Sequence, residues 1–257
     1  MDVVLLGTLA SLAAASMTAV GAIPVLFGRD VSPRAQDMLL GFAAGVMLAA
    51  SFFSLILPAI AAARDMYGGT ALPAAIAVGG VLAGAAAIAL VNEWMPHRHF
   101  VQGREGRPGL SLDKVWLFVA AITIHNFPEG LAVGVGYAGD DHTNATALAV
   151  GIGLQNAPEG LAVAVALRAE GYPRFRAFLI AALTAAVEPV GGFLGAGVVT
   201  LAGQLLPFAL TFAAGAMLYV ISHEIIPETH TRGYLREATA GLMIGLVMMM
   251  FLDVAFA

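Results

Sequence analysis

The chain has 257 residues, of which 60% are hydrophobic and only 11% charged, against roughly 45–50% and about 25% in an ordinary soluble domain. That composition excludes a soluble globule, and a net charge of −5 with no basic tract excludes a nucleic-acid binder. The absence of Cys removes disulfides, thiolate metal sites and Cys nucleophiles together, while 30 Gly in an Ala-rich background point to close helix packing in lipid.

Apolar runs of about the ~20 residues that span a bilayer cover 3–27, 38–60, 72–92, 115–138, 145–168, 177–203, 206–226 and 238–256. The first is too long for a signal-peptide core and follows Asp2 rather than a basic stretch, so it is expected to be a retained membrane helix. The expected fold is an all-α integral membrane protein with eight transmembrane helices in a single domain over 1–257. The connection 96–114, rich in Gly, Pro and charge, reads as a loop. Eleven of the twelve basic residues fall in the first, third, fifth and seventh connections, and Arg64 alone lies on the other side. Short cytoplasmic loops carry the Lys/Arg excess, so both termini are expected to be extracytoplasmic.

Within these spans lie groups that lipid should not tolerate, and intramembrane ionisable residues are functional candidates by default. The fourth span contains His125-Asn126-Phe127-Pro128-Glu129-Gly130, and the fifth contains Gln155-Asn156-Ala157-Pro158-Glu159-Gly160. Residues 126–135 and 156–165 match at eight of ten positions. Because consecutive spans run in opposite directions, the motif is presented twice with opposite polarity, as for two half-sites facing each other near the membrane midplane. His125 and Glu129 are spaced i,i+4, as are Gln155 and Glu159, so each pair shares a helix face. Pro128 and Pro158 deprive the carbonyls of Ile124 and Leu154 of their helical donors, and are expected to open both helices beside the ligands. At about 1.5 Å per residue, His125 and Gln155 both lie roughly 15 Å deep, with Glu188 of the sixth span at a similar level and Met47 of the second close enough to add a thioether.

A second polar group lies lower. Asn92 and Glu93 end the third span, and His223, Glu224 and Glu228 end the seventh; with His97, His99 and His230 they are candidates for a cytoplasmic exit path. Carboxylate, imidazole, amide and thioether donors without Cys suit a borderline divalent ion, Zn²⁺ foremost, with Fe²⁺, Mn²⁺ and Cd²⁺ as alternatives. Two facing Glu residues can bridge two ions. An intramembrane zincin would need H-E-x-x-H, and the nearest string, HEIIPE at 223–228, has Pro227 where the second His belongs. A proton-coupled carrier of an organic solute would account for the buried carboxylates but not for the duplicated motif.

The motifs HNFPEG and QNAPEG, with GFAAGVMLAASFFSLI at 41–56, VEPVGG at 187–192 and SHEIIPE at 222–228, resemble those of the ZIP (Zrt-, Irt-like) divalent-metal transporters, more closely the bacterial members. The resemblance covers essentially the whole chain. It implies no enzymatic activity and no catalytic cofactor, a multi-pass location in the plasma membrane, metal movement into the cytoplasm, and a homodimer. It also implies one metal position formed by Met47, His125, Glu129, Gln155 and Glu159, and a neighbouring one formed by Asn126, Glu129, Asn156, Glu159 and Glu188, with Glu129 and Glu159 bridging the two. Two departures stand out: Gln155 replaces a His common in the second motif, and the 96–114 loop holds only His97 and His99 where many members carry a His-rich stretch.

Overall fold

A computed structural model describes residues 2–28, 31–94, 97–99, 103–105, 114–229 and 233–256. Helix α1 (Val3–Leu26) starts where the Asp2 carboxylate accepts from the Val4 amide at 3.0 Å. Helix α2 (Pro33–Tyr67) begins at the Ser32 cap with Pro33 in its first turn, where a missing N–H costs nothing. Then follow α3 (Ala71–Trp94), α4 (Lys114–Ala138), and α5 (His142–Ala169), whose cap Asp141 accepts from the Asn144 amide. Next come α6 (Arg174–Leu201), α7 (Leu206–Val220, continued through Ile221–Ile225 to Ile226–Thr229) and α8 (Leu235–Phe256). Among the described residues seven helical segments are long and apolar enough to cross a membrane; α4, with the first motif at its centre, is not in that set. This is a multi-pass membrane protein. The 96–114 connection, expected to be plain loop, contains a short antiparallel ladder pairing His97–His99 with Gly103–Glu105.

Packing divides the helices into two groups of four. In one, α1 packs along α5 and α4 along α6; in the other, α2 packs along α8 and α3 along α7. Two apolar clusters follow. The larger joins α2, α7 and α8 to the second half of α4 and the first half of α5, and the smaller holds α1, α4, α5 and α6 together around Val119, Leu161 and Leu167. Side chains facing outward, such as Leu82, Val198 and Phe251, are more than 45% exposed, as befits helices whose outer faces meet lipid rather than water.

The packing obeys an inverted repeat wider than the duplicated motif. FAAGVML at 42–48 recurs as FAAGAML at 212–218, 170 positions later. A side chain at Gly84 would strike the Phe212 carbonyl of α7, and one at Gly245 would strike the equivalent Phe42 carbonyl of α2; Gly215 and Gly45 stand in the same way against Val81 and Leu242. Small residues at these crossings let backbones touch, which is how helices associate in lipid without a hydrophobic driving force.

The irregular turns are not where the prolines of the motifs suggested. The helical pattern runs unbroken through Pro128 and Pro158, because each proline deletes a single bond and the turns on both sides stay packed. The departures are wide turns at Ser51–Ile56 in α2 and Ile221–Ile225 in α7, just before Pro58 and Pro227, and a tight turn at Ala185–Val187 before Pro189 in α6. In α6 the tight turn sends the Glu188 amide to the Ala185 carbonyl, so Glu188 opens a fresh helical segment.

Candidate metal centre

Glycine positions the site. The Gly that ends each motif is a point of backbone contact: Gly130 of α4 lies on the carbonyl of Glu188 in α6, and Gly160 of α5 on the carbonyl of Thr18 in α1. The motif helices are therefore pressed against different partners in matching ways, which turns their polar faces toward one another. His125, Asn126, Glu129, Gln155, Asn156, Glu159 and Glu188 are all at most 1% exposed.

His125 Nε2 stands 3.5 Å from Glu129 Oε1 and 3.5 Å from Glu159 Oε1. One ligand atom from each of these three residues lies within 4.8 Å of the others, close enough to share one ion. The Gln155 amide donates to Glu129 Oε1, which leaves the Gln155 carbonyl oxygen buried without a partner. Asn156 Nδ2 donates to both oxygens of Glu188 at 3.0 Å and to the Ala14 carbonyl at 3.0 Å, again leaving its own oxygen unpaired. Ser11 of α1 completes this side, donating to the Glu188 carbonyl at 2.7 Å. The amide nitrogens are thus committed to the protein and their oxygens turned free. In all, both His125 nitrogens, one oxygen each of Asn126, Glu129, Gln155 and Asn156, and both oxygens of Glu159 are buried without a hydrogen-bond partner.

Met47 is 1% exposed within the larger apolar cluster, but its repeat mate Met217 is equally buried there, so burial does not single it out. The lower polar group is not separate from the midplane. Glu224 Oε2 is 3.8 Å from His125 Nδ1, and its Oε1 accepts from Asn92 Nδ2 at 3.3 Å. His223 is half-buried against the Tyr219 ring, whereas Glu93 is exposed. His230 and the side chains of His97, His99 and Glu228 lie outside the described residues.

One polar cluster escaped the sequence reading. At the opposite end of the bundle, Ser54 donates to Asp253 at 2.5 Å, and Asn144 of α5 donates to the Ser54 carbonyl at 3.0 Å. That carbonyl is the one Pro58 leaves without a helical donor. The second Asp253 oxygen is buried and unpaired. Ser54, Asn144, Asp65, Asp140 and Asp141 line a cavity of about 520 Å³ there. Asp253 was the available signal, an ionisable residue in the last span.

A multi-pass helical membrane protein that brings an imidazole and two carboxylates within reach of one ion, and buries a third carboxylate and three amide oxygens in the same motifs and their neighbours, has the architecture of a metal-handling membrane protein. The family model for the ZIP zinc transporters matches residues 101–253, and the chain belongs to that family. It is 47% identical over 250 residues to the zinc transporter GufA of Myxococcus xanthus, covering 97% of this chain and 98% of that protein. It is 45% identical over 238 residues to the zinc transporter ZIPB of Bordetella bronchiseptica, covering 93% and 77%, and 36% identical over 320 residues to human zinc transporter ZIP11, covering 93% of each. The family is one of transporters, not enzymes.

Proposed function

We propose that this protein carries divalent transition-metal ions, zinc foremost, across the membrane into the cytoplasm through a binuclear centre of Met47, His125, Asn126, Glu129, Gln155, Asn156, Glu159 and Glu188. The observation that carries the reading is the set of buried polar atoms without a hydrogen-bond partner. An unsatisfied buried polar atom costs about 1–3 kcal/mol, so the eight named above would together cost as much as the ~5–15 kcal/mol stability of a whole domain. Cations remove that cost. Three carboxylates also match two divalent ions better than one, with Glu129 and Glu159 between them.

The ligand chemistry suits passage. Carboxylate, amide and single imidazole donors hold Zn²⁺ less tightly than a thiolate or multi-His cage, and conduction requires binding weak enough to release. Gln155 in place of a His lowers the imidazole content further and leaves room for Fe²⁺, Mn²⁺ and Cd²⁺. Glu224, touching both His125 and Asn92, is the next oxygen an ion meets on leaving toward the basic, cytoplasmic end; Glu228, His223 and Glu93 continue that path. The reading includes eight spans, extracytoplasmic termini and assembly as a homodimer in the plasma membrane.

Uptake of radioactive Zn²⁺ into proteoliposomes tests the proposal. Glu129→Ala or Glu159→Ala should abolish uptake in protein that still inserts, since two ions lose an anionic ligand at once. Glu188→Ala should leave one ion bound and reduce flux less. Normal transport by Glu129→Ala together with loss in Glu188→Ala would move the site away from the paired motifs.

A further inference from the structure

The inverted repeat gives Glu188 a counterpart. Residues of α1 and α6 that are 170 positions apart correspond in sequence, with Val20-Gly21 matching Val190-Gly191. They correspond in contact as well: Gly21 lies on the Ala157 carbonyl of α5 as Gly191 lies on the Phe127 carbonyl of α4. Thr18 meets Gly160 as Glu188 meets Gly130. Thr18 therefore holds, on one half of the centre, the place that Glu188 holds on the other.

The two halves are completed differently. Asn156 is bonded to the Glu188 carboxylate, whereas in the mirrored pair Asn126 Oδ1 and Thr18 Oγ1 are each buried without a hydrogen-bond partner. A threonine in a helix ordinarily returns its hydroxyl to the carbonyl four residues earlier. Thr8, Thr123, Thr146, Thr200, Thr211 and Thr239 all do so here. Thr18, 1% exposed in the middle of α1, does not. Its hydroxyl oxygen is therefore left free to meet a ligand.

We propose that Thr18 is a specificity-determining residue of the metal centre: with Asn126 it forms a neutral two-oxygen half-site where the mirror half presents a carboxylate. This rests on the metal-transport reading above. It holds the centre at three carboxylates, Glu129, Glu159 and Glu188, instead of the four that full symmetry would give. The position that Asn126 shares with Glu188 is then met by a carboxylate from one half and by neutral oxygens from the other, which gives a symmetric scaffold a preferred side for release.

The test is calorimetric titration of the purified full-length protein with Zn²⁺ and with Mn²⁺, paired with uptake into proteoliposomes. Thr18→Val, which keeps the shape and removes the oxygen, should weaken one of two Zn²⁺ sites about three- to tenfold, the worth of a single oxygen contact, and leave the other unchanged. Thr18→Ser should behave as wild type. Thr18→Glu should tighten binding at least about tenfold, slow uptake and shift preference toward Mn²⁺, the ion that favours carboxylates. Unchanged affinity and unchanged Zn²⁺:Mn²⁺ preference in Thr18→Val overturn the assignment. Should that variant not fold, unchanged values in Thr18→Glu overturn it equally. If the wild type binds no metal, or Glu129→Ala binds as the wild type does, it is the transport reading that falls.

Discussion

The two ends of the helix bundle carry polar clusters at equivalent positions of the repeat, yet they are wired differently. Ser54 and Glu224 are 170 positions apart in α2 and α7, and each bonds to a polar residue near the end of its packing partner, Asp253 of α8 and Asn92 of α3. The carboxylate has changed sides: it is on the wide turn in α7 and on the partner helix at the other end. The Glu224 cluster touches the midplane through His125. The Asp253 cluster has no such contact among the described residues, and Ala50, Ala132, Val133, Leu148, Ile152 and Ala214, each 0% exposed, pack in one apolar cluster at this end of the paired helices. An ion cannot cross such a cluster without shedding its hydration and finding no replacement. The end that carries Glu224 thus has a polar contact to the midplane, whereas the end that carries Asp253 is bordered by apolar side chains, and the repeat shows how one architecture can present either arrangement.

Removing Glu224 should do most to break this contrast. Glu224→Ala removes the carboxylate that accepts from Asn92 and stands beside His125, and at about 1.5–3 kcal/mol for a hydrogen bond to a charged group zinc uptake should fall roughly ten- to a hundredfold. Asp253→Asn, which keeps the size and can still meet Ser54, should cost less; the reverse order would show that entry and not exit limits flux.

Acid should weaken uptake as well. Metal ligands must be deprotonated, so protons compete with the ion for Glu129, Glu159 and His125. Uptake at subsaturating zinc should fall as pH drops from about 8 to 5, by up to roughly tenfold per unit where one proton competes. Uptake indifferent to pH across that range would argue that these groups do not hold the ion.

Accessibility sharpens the comparison of the two ends. Cysteines introduced at Thr143 and Gly106 should label from the outside and the inside respectively, as the positive-inside pattern requires. A cysteine at Ala61, on the cavity beside Ser54, should react with an impermeant reagent at least about tenfold faster than one at Leu148, within the apolar cluster. Labelling of positions 143 and 106 from the same side would overturn the topology. The smallest effect is expected from Asn144→Ala. It removes one bond between the two helix groups, worth about 0.5–1.5 kcal/mol, so labelling at Leu148 should rise only about two- to tenfold. No rise at all would show that Asn144 does not help to hold the two groups together at this end.

Much of this was legible in the sequence because lipid enforces it. Spans must be helical and apolar, so the helices could be bounded from hydropathy to within a few residues, except that α2 runs on to Tyr67 beyond its apolar stretch. Glu129, Glu159 and His125 stood out because an ionisable group is too costly in an apolar run to sit there without a partner or ligand, and the i,i+4 spacing that joins His125 to Glu129 is a property of the helix itself. The proline argument failed for the complementary reason. Whether a missing backbone donor bends a helix depends on what packs around it, and Pro128 and Pro158 sit in continuous helix whereas Pro58, Pro189 and Pro227 follow irregular turns.

The sequence by itself determined the membrane class, the helix order, the duplicated motif and the candidate donors it carries, because each depends on residue type and on spacing along one helix. Only the tertiary structure decided which amide nitrogens are spent on holding Glu129 and Glu188, that Glu224 belongs with His125 rather than to a separate group, and that Thr18 stands opposite Glu188. Those relations join residues on different helices, and they are set by backbone crossings such as Gly130 on Glu188 and Gly160 on Thr18. Glycine marks where two helices can touch, but a single chain of letters does not say which two.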